Sequence, residues 1–246
     1  MSSGADLSIE FVGTVFLHCN AKEVVEKCTG VVQDLCRECY GSDIRIPDVS
    51  IRGHLTAVFP YIVSHLEYII GELIRNAMQA TIERTRGNSY LPSIEVLICE
   101  APQHVIIRIS DRGGGIPREI FPCLWSFSKG LRREVTIENL SQVPRMAATM
   151  KEIRSQPLNG ICHTDNRNAD SENTRENVKS FLSSSSRRPD LKLGIGLPMS
   201  RIYAEYWAGS LELHSLEGYG VDAFLQIPKL GNKNEQLTTR AIMDAV

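Results

Sequence analysis

The chain has 246 residues, enough for one large domain or a domain with appendages, and it is 42% hydrophobic and 23% charged, which supplies the apolar material of a real core. A net charge of -2 excludes a global electrostatic footprint for nucleic acid or an anionic membrane. No apolar run reaches membrane-spanning length, because His65 and Glu67 break the longest, Tyr61 to Ile74, and the opening MSSGADLSIE does not form a signal peptide.

Residues 1–20 read as a lead-in. A helix is expected over 20–39, with Asn20 as N-cap, Val24, Val25, Cys28, Val31, Val32, Leu35 and Cys39 at helical spacing, and Gly41 as the stop. The seven cysteines are scattered and odd in number, as for free, mostly buried thiols in a reducing compartment. Cys36 and Cys39 form a C-x-x-C, but no second Cys or His pair follows at a zinc-like distance, so packing within the helix is the preferred reading. Residues 41–63 are mixed, punctuated by Pro47, Gly53 and Pro60.

The strongest signal is a helix opened by a capping box, Ser64 with Glu67. Leu66, Ile69, Ile70, Leu73, Ile74, Ala77, Met78 and Ile82 then run at the 3.6 period until Gly87. Two strands follow, Ser93–Cys99 and His104–Ser110, joined by a turn containing Pro102. The loop Asp111-Arg112-Gly113-Gly114-Gly115 comes next, then a short helical stretch, Arg118 to Leu124. From about 126 to 190 the chain turns Ser-, Arg- and Asn-rich, the composition of a functional lid or a disordered insert. Order is expected again in a helix from Pro198 to Trp207, ended by Gly209, and in strands Ser210–His214 and Val221–Ile227. The residues from 231 on read as a tail.

Three stretches carry chemistry. Glu72 and Asn76, at i and i+4, share one face of an otherwise apolar helix. A carboxamide oxygen can ligate a hard cation such as Mg²⁺, and a carboxylate can orient or deprotonate an attacking hydroxyl. Alone, the pair reads equally as the polar edge of an amphipathic helix. Three glycines after Asp111 allow close backbone approach to a ligand, and an acid at a strand's end can accept from an exocyclic amine; the bland alternative is a flexible turn. Gly194-Ile195-Gly196-Leu197-Pro198 places backbone N–H groups and a helix dipole where an anion could sit. It is no Walker loop, lacking Gly-Lys-Ser/Thr, and no dinucleotide fingerprint, lacking a leading strand.

In order, these stretches resemble the ATP-binding fold shared by gyrase B, Hsp90, histidine kinases and MutL. Within it, PYIVSHLEYIIGELIRNAMQAT, IRISDRGGGIP and LGIGLPMSRIYAEYWAGSLELHSLEGYGVDAFLQIP are similar to the mitochondrial protein kinases of 2-oxoacid dehydrogenase complexes, the pyruvate and branched-chain types. The resemblance implies an α/β two-layer sandwich, a mixed sheet with helices on one face. It implies a kinase domain over 21–230 with a lid at about 126–190, using ATP and Mg²⁺. Glu72 would be the catalytic base or polarising carboxylate, Asn76 the Mg²⁺ ligand, and Asp111 the partner of the adenine amine. Gly113 and Gly115 would let the lid hinge. Ser128 and Lys129 match the family's Ser-Thr pair at the root of the lid, and Gly194, Ile195, Gly196 and Leu197 would wrap the phosphates. The γ-phosphoryl would pass to a serine of a dehydrogenase E1 subunit in the mitochondrial matrix. A homodimer is implied, as is a lipoyl-bearing E2 that docks on an N-terminal helical bundle. That bundle is expected to be missing here, leaving a fragment or a reduced relative.

The chain departs from the pattern in four places. Lys192 stands at the first glycine of the family's G-x-G-x-G-L-P, Val221 at the threonine of the late G-x-G-T-D, and Lys129 at the threonine of the Ser-Thr pair. Tyr68 stands where pyruvate-type members carry a His, which leans toward the branched-chain type. Lys192 and Val221 keep open a second reading, a nucleotide-binding pseudokinase or regulatory module. A two-component histidine kinase is disfavoured, since no H-E/D-x-x-x-P phosphoacceptor helix occurs. Lys151, Arg154, Arg187 and Arg188 are the lid's candidates for closing on ATP phosphates.

Overall fold

A computed structural model describes residues 11–12, 14–41, 44–86, 90–127 and 194–229. Its centre is a five-stranded mixed sheet, with helices on one face as expected. β-Branched residues alternate along β5 (Ile94–Glu100) and β6 (His104–Ser110), burying Ile94, Val96 and Ile98 and then Val105, Ile107 and Ile109. The two pair antiparallel, Val96 opposite Ile109. β6 pairs with β8 (Gly220–Pro228), and β8 with β7 (Ser210–Leu216), both antiparallel. β3 (Val49–Gly53) joins the other edge parallel to β5, giving the order β3-β5-β6-β8-β7.

The helices cover the apolar face of this sheet. α1 (Ala21–Tyr40) begins as read: the Asn20 side chain accepts the Glu23 backbone N–H at 3.2 Å, and Gly41, at φ 82°, returns its N–H to Arg37. α2 (Val63–Thr85) buries both its apolar stripe and several polar groups, so it is the central helix of the molecule. Fully burying one of its Leu or Ile side chains contributes roughly 1.5–3 kcal/mol. α3 (Gly196–Tyr206) lies on α2 and leads into β7.

Three features differ from the sequence reading. The expected capping box is not formed: Ile62 is the N-cap of α2 without a side-chain cap bond, and Glu67 is buried against Lys27 of α1, 2.7 Å from its Nζ. Tertiary pairing has taken the side chain that the local motif would have used. The lead-in contains β1 (Phe11–Val12) and β2 (Val15–Asn20), which form a small antiparallel sheet with β4 (Val58–Tyr61). Tyr61 anchors that sheet on Trp207, ring centroids 5.3 Å apart. Finally, Arg118–Leu124 holds only a 3₁₀ turn, Phe121–Cys123, because Pro122 leaves no regular helical ladder.

Cys36 is buried and Cys39 half-buried. Burial pushes the Cys36 thiol up to about 11, so it packs as a neutral apolar group. No helix among the described residues is long and apolar enough to cross a membrane.

Candidate functional site

The three chemistry-bearing stretches meet at one cleft between α2, the sheet and the start of α3. α2 supplies Leu73, Asn76, Ala77 and Ala80; β6 and its loop supply Ile109, Asp111, Gly115 and Ile116. Leu197 closes one side, and Leu213, Val221 and Ala223 form the sheet side. The slot is lined mostly by apolar side chains, with one carboxylate, Asp111, and one carboxamide, Asn76, which suits a heteroaromatic base joined to a polar group.

Asp111 sits where β6 leaves the sheet. Its backbone N–H donates to Val221, and one carboxylate oxygen accepts the Gly113 N–H at 2.8 Å. Burial raises its pKa above the usual carboxylate value; the Gly113 and Val221 backbone groups oppose that rise and Asp222 adds to it.

The glycines after Asp111 serve close packing. A side chain at Gly113 would run into Ala80 and Thr81 of α2, and one at Gly115 into the Leu216 carbonyl. Gly114 and Gly115 also have φ of 98° and 76°, conformations that glycine adopts without strain. Gly114 donates to Tyr219 and accepts from Gly218, while Ser215 Oγ accepts the Ile116 N–H at 2.7 Å. The loop is therefore a wall stitched to the β7–β8 turn; the sequence reading gave Gly113 and Gly115 a hinge role toward the lid, most of which lies outside the described residues.

Arg84, which sequence reasoning missed, secures the same wall. From the last turn of α2 its guanidinium donates to the carbonyls of Tyr219 at 2.8 Å and Gly218 at 2.7 Å. No local motif could have signalled it, because its partners lie 134 and 135 residues away.

Glu72 and Asn76 are placed differently, although they share a helix face. Asn76 lines the cleft, while Glu72 does not. The Glu72 carboxylate is 1% exposed and ion-paired with Arg75, itself buried. Gly196 closes over them: a Cβ there would overlap Glu72 Oε2 and stand 3.6 Å from Arg75 Nη2. Arg75 was also missed, though its i+3 spacing from Glu72 was visible.

At the opening of α3, Gly194 has φ 65° and Ile195 is the N-cap. Among the described residues no side chain caps the helix's first N–H groups. Ser128, Lys129, Lys192 and the basic lid residues fall outside the described residues. Among the described residues no cluster of three or more His, Cys, Asp or Glu side chains could hold a metal ion. Of the side chains lining the cleft only Asn76 and Asp111 carry oxygen, and Asp111 is engaged by the Gly113 N–H, which leaves the Asn76 oxygen as the candidate ligand. That fits Mg²⁺, which takes one or two protein oxygens and completes its shell from phosphates and water.

The model of the histidine kinase-, DNA gyrase B- and HSP90-like ATPase family matches residues 62–231. Among individual proteins, the chain is 29% identical to mitochondrial pyruvate dehydrogenase (acetyl-transferring) kinase 2 of Saccharomyces cerevisiae, over 94% of this chain and 51% of the yeast protein. It is 27% identical to the corresponding Schizosaccharomyces pombe kinase, over 92% of this chain and 44% of that protein. With the human kinase isozyme 4 it shares 29%, over 91% and 44%. The chain thus spans about half the length of the curated relatives it matches. The matched region runs from the start of α2 through the Asp111 wall and α3 to the end of β8, the elements that build the cleft, and the chain belongs to the histidine kinase-, gyrase B- and HSP90-like ATPase family.

Proposed function

We propose that this chain is an ATP-dependent protein kinase of the 2-oxoacid dehydrogenase kinase type, passing the γ-phosphoryl of ATP to a serine of a dehydrogenase E1 subunit. The observation that carries the reading is the convergence of Asn76, Asp111, Gly115 and Leu197, from three distant stretches, on one apolar slot. In this reading adenine lies between α2 and the sheet, and Asp111 accepts from its exocyclic amine. Ile109, Leu213 and Ala223 supply apolar contact. Val221 adds no hydroxyl, which weakens base binding by about 1 kcal/mol relative to a threonine there.

Gly194, Ile195, Gly196 and Leu197 present backbone to the phosphates. Asn76 would hold Mg²⁺, which, when bound, neutralises charge developing on the phosphoryl oxygens. Glu72 accepts the serine hydroxyl proton as the hydroxyl oxygen bonds to the γ-phosphorus and the bond from phosphorus to the β–γ bridging oxygen breaks, releasing ADP. Positioning and electrostatics supply most of the rate. Ser128, Lys129 and Lys192 belong to the same proposed site. A mitochondrial location accompanies the reading, supported by relatives that are mitochondrial kinases; the matrix, a homodimer and docking on a lipoyl-bearing E2 come with it from the resemblance alone. Those relatives are pyruvate dehydrogenase kinases, whereas Tyr68 leans toward the branched-chain type, so both E1 proteins belong in the assay.

The burial of Glu72 against Arg75 favours one alternative, a module that binds nucleotide without transferring phosphoryl. Calorimetry with Mg-ATP on wild type and Asp111→Ala, then E1 phosphorylation by wild type and Glu72→Gln, separates the two. The kinase reading expects binding that Asp111→Ala abolishes and transfer that Glu72→Gln lowers about 1,000-fold to a measurable residual rate. Binding without Glu72-dependent transfer leaves the alternative, and no binding at all removes both.

A further inference from the structure

We propose that Arg75 is the positioning residue for Glu72, fixing its carboxylate beneath the first residue of α3 and so setting how it meets the phosphoryl acceptor. The inference rests on the kinase reading above and goes beyond it by naming what orients the base.

Arg75 is the one basic side chain buried among the described residues. Removing two charges from water costs much of what their attraction returns, so an apolar pair of similar volume would hold α2 and α3 together at least as well. Stability therefore does not explain the pair, whereas geometry does. A guanidinium is a planar fork that dictates the direction of the carboxylate it binds, while an ammonium is a point charge that does not. Gly196 then closes the third side. A Cβ there would overlap Glu72 Oε2, so the carboxylate is held between Arg75 Nη2, which meets the same oxygen, and the N-terminal backbone of α3. Arg75 does not line the cleft, so its influence on the reaction passes through Glu72. One helical turn along the same face, Asn76 does line it, which places the fixed carboxylate beside the proposed phosphate end of the slot.

The test uses the full chain with Mg-ATP and an E1 substrate, in Arg75→Met, Arg75→Lys, Glu72→Gln and the double variant Glu72→Gln/Arg75→Met. Arg75→Met is expected to lower kcat about 100-fold, with KM for ATP within threefold of wild type. Arg75→Lys should recover part of the loss. In the Glu72→Gln background Arg75→Met should lower the rate no further, because the group it positions is gone. That double variant also removes both buried charges, so it stays folded if the single Arg75→Met does not, and Arg75→Lys then carries the kcat comparison. An unchanged kcat in Arg75→Met, or in Arg75→Lys where that variant carries the comparison, overturns the proposal alone. So does an equal further loss in the Glu72→Gln background. A wild-type chain that binds Mg-ATP and transfers nothing overturns the kinase reading, and this role with it.

Discussion

Gly196 lies directly against the Glu72 carboxylate: a Cβ on Gly196 would overlap Oε2 and stand 2.9 Å from Cδ. Glu72 cannot retreat, because Arg75 holds it and the helix around it is buried.

Gly196→Ala should therefore force α3 away from α2, at about 1–3 kcal/mol, the usual range for overpacking a filled interior. Chemical denaturation measures this, and calorimetry should show Mg-ATP affinity falling about tenfold as Leu197 and the N-terminal N–H groups shift. Gly30→Ala is the matched control. Gly30 lies within α1 with nothing within 4 Å of an added Cβ, so alanine should raise stability by about 0.5–1 kcal/mol. A Gly196→Ala protein as stable as wild type would show that the α2–α3 contact is soft.

The Asp111 carboxyl gives the site a pH dependence with two signs. Burial raises its folded pKa above the ordinary value of 3.8, so the native state binds this proton more tightly than the unfolded chain does. Its stabilising contribution is complete below the unfolded pKa and is lost as pH rises through the folded one; at neutral pH the ionised group destabilises the fold. Asp111→Asn removes that charge and keeps an acceptor for the Gly113 N–H, so its melting temperature at pH 7 should exceed that of wild type. Nucleotide binding has the opposite sign, since only the carboxylate accepts with both oxygens. Wild-type affinity for Mg-ATP should fall as pH drops through the raised pKa, and Asp111→Asn should bind weakly with that dependence gone. Calorimetry and thermal melts across pH 4–8 check both; an Asp111→Asn protein less stable than wild type at pH 7 contradicts the desolvation argument.

Much of the cleft was legible because its signals are local. The helical period of α2, the alternation of β5 and β6 and the glycines of the two loops each follow from short-range geometry. β1 to β4 were not legible. They are 2, 6, 5 and 4 residues long, too short to show a period, and are held by pairing rather than propensity. Arg75 was ambiguous for a different reason. An i,i+3 ion pair reads as a surface feature until α3, which begins at Gly196, 121 residues after Arg75, buries it. Glu67 failed the other way, its local capping role losing to a partner 40 residues distant.

That last competition is measurable. Ser64→Ala should change stability by less than about 0.5 kcal/mol, because no cap bond exists to lose. Lys27→Met leaves the buried Glu67 carboxylate without its ammonium partner. The Lys27 end is partly exposed, so the loss should be about 1–2 kcal/mol, below the range for a fully buried pair. Lys27→Met combined with Glu67→Leu should recover most of it, as both charges are then gone. Urea unfolding of the four proteins decides the matter: a destabilised Ser64→Ala beside a neutral Lys27→Met would restore the capping box.

Arg84 offers a test of whether the glycine wall acts as one unit. Its guanidinium ties the end of α2 to the Gly218 and Tyr219 carbonyls and lies 3.3 Å from a Cβ added to Gly114. Those carbonyls belong to the turn whose backbone also bonds Gly114. The bonds are exposed, so Arg84→Met should cost about 1 kcal/mol of stability or less. The effect on binding should be larger in proportion. With the turn released, Asp111 and Gly115 lose the backing that holds them at the cleft, and affinity should fall about three- to tenfold. In the proposed site the wall faces the base, so adenosine and Mg-ATP should weaken by the same factor. An Arg84→Met protein that loses affinity for Mg-ATP alone would place the effect of Arg84 at the phosphates instead.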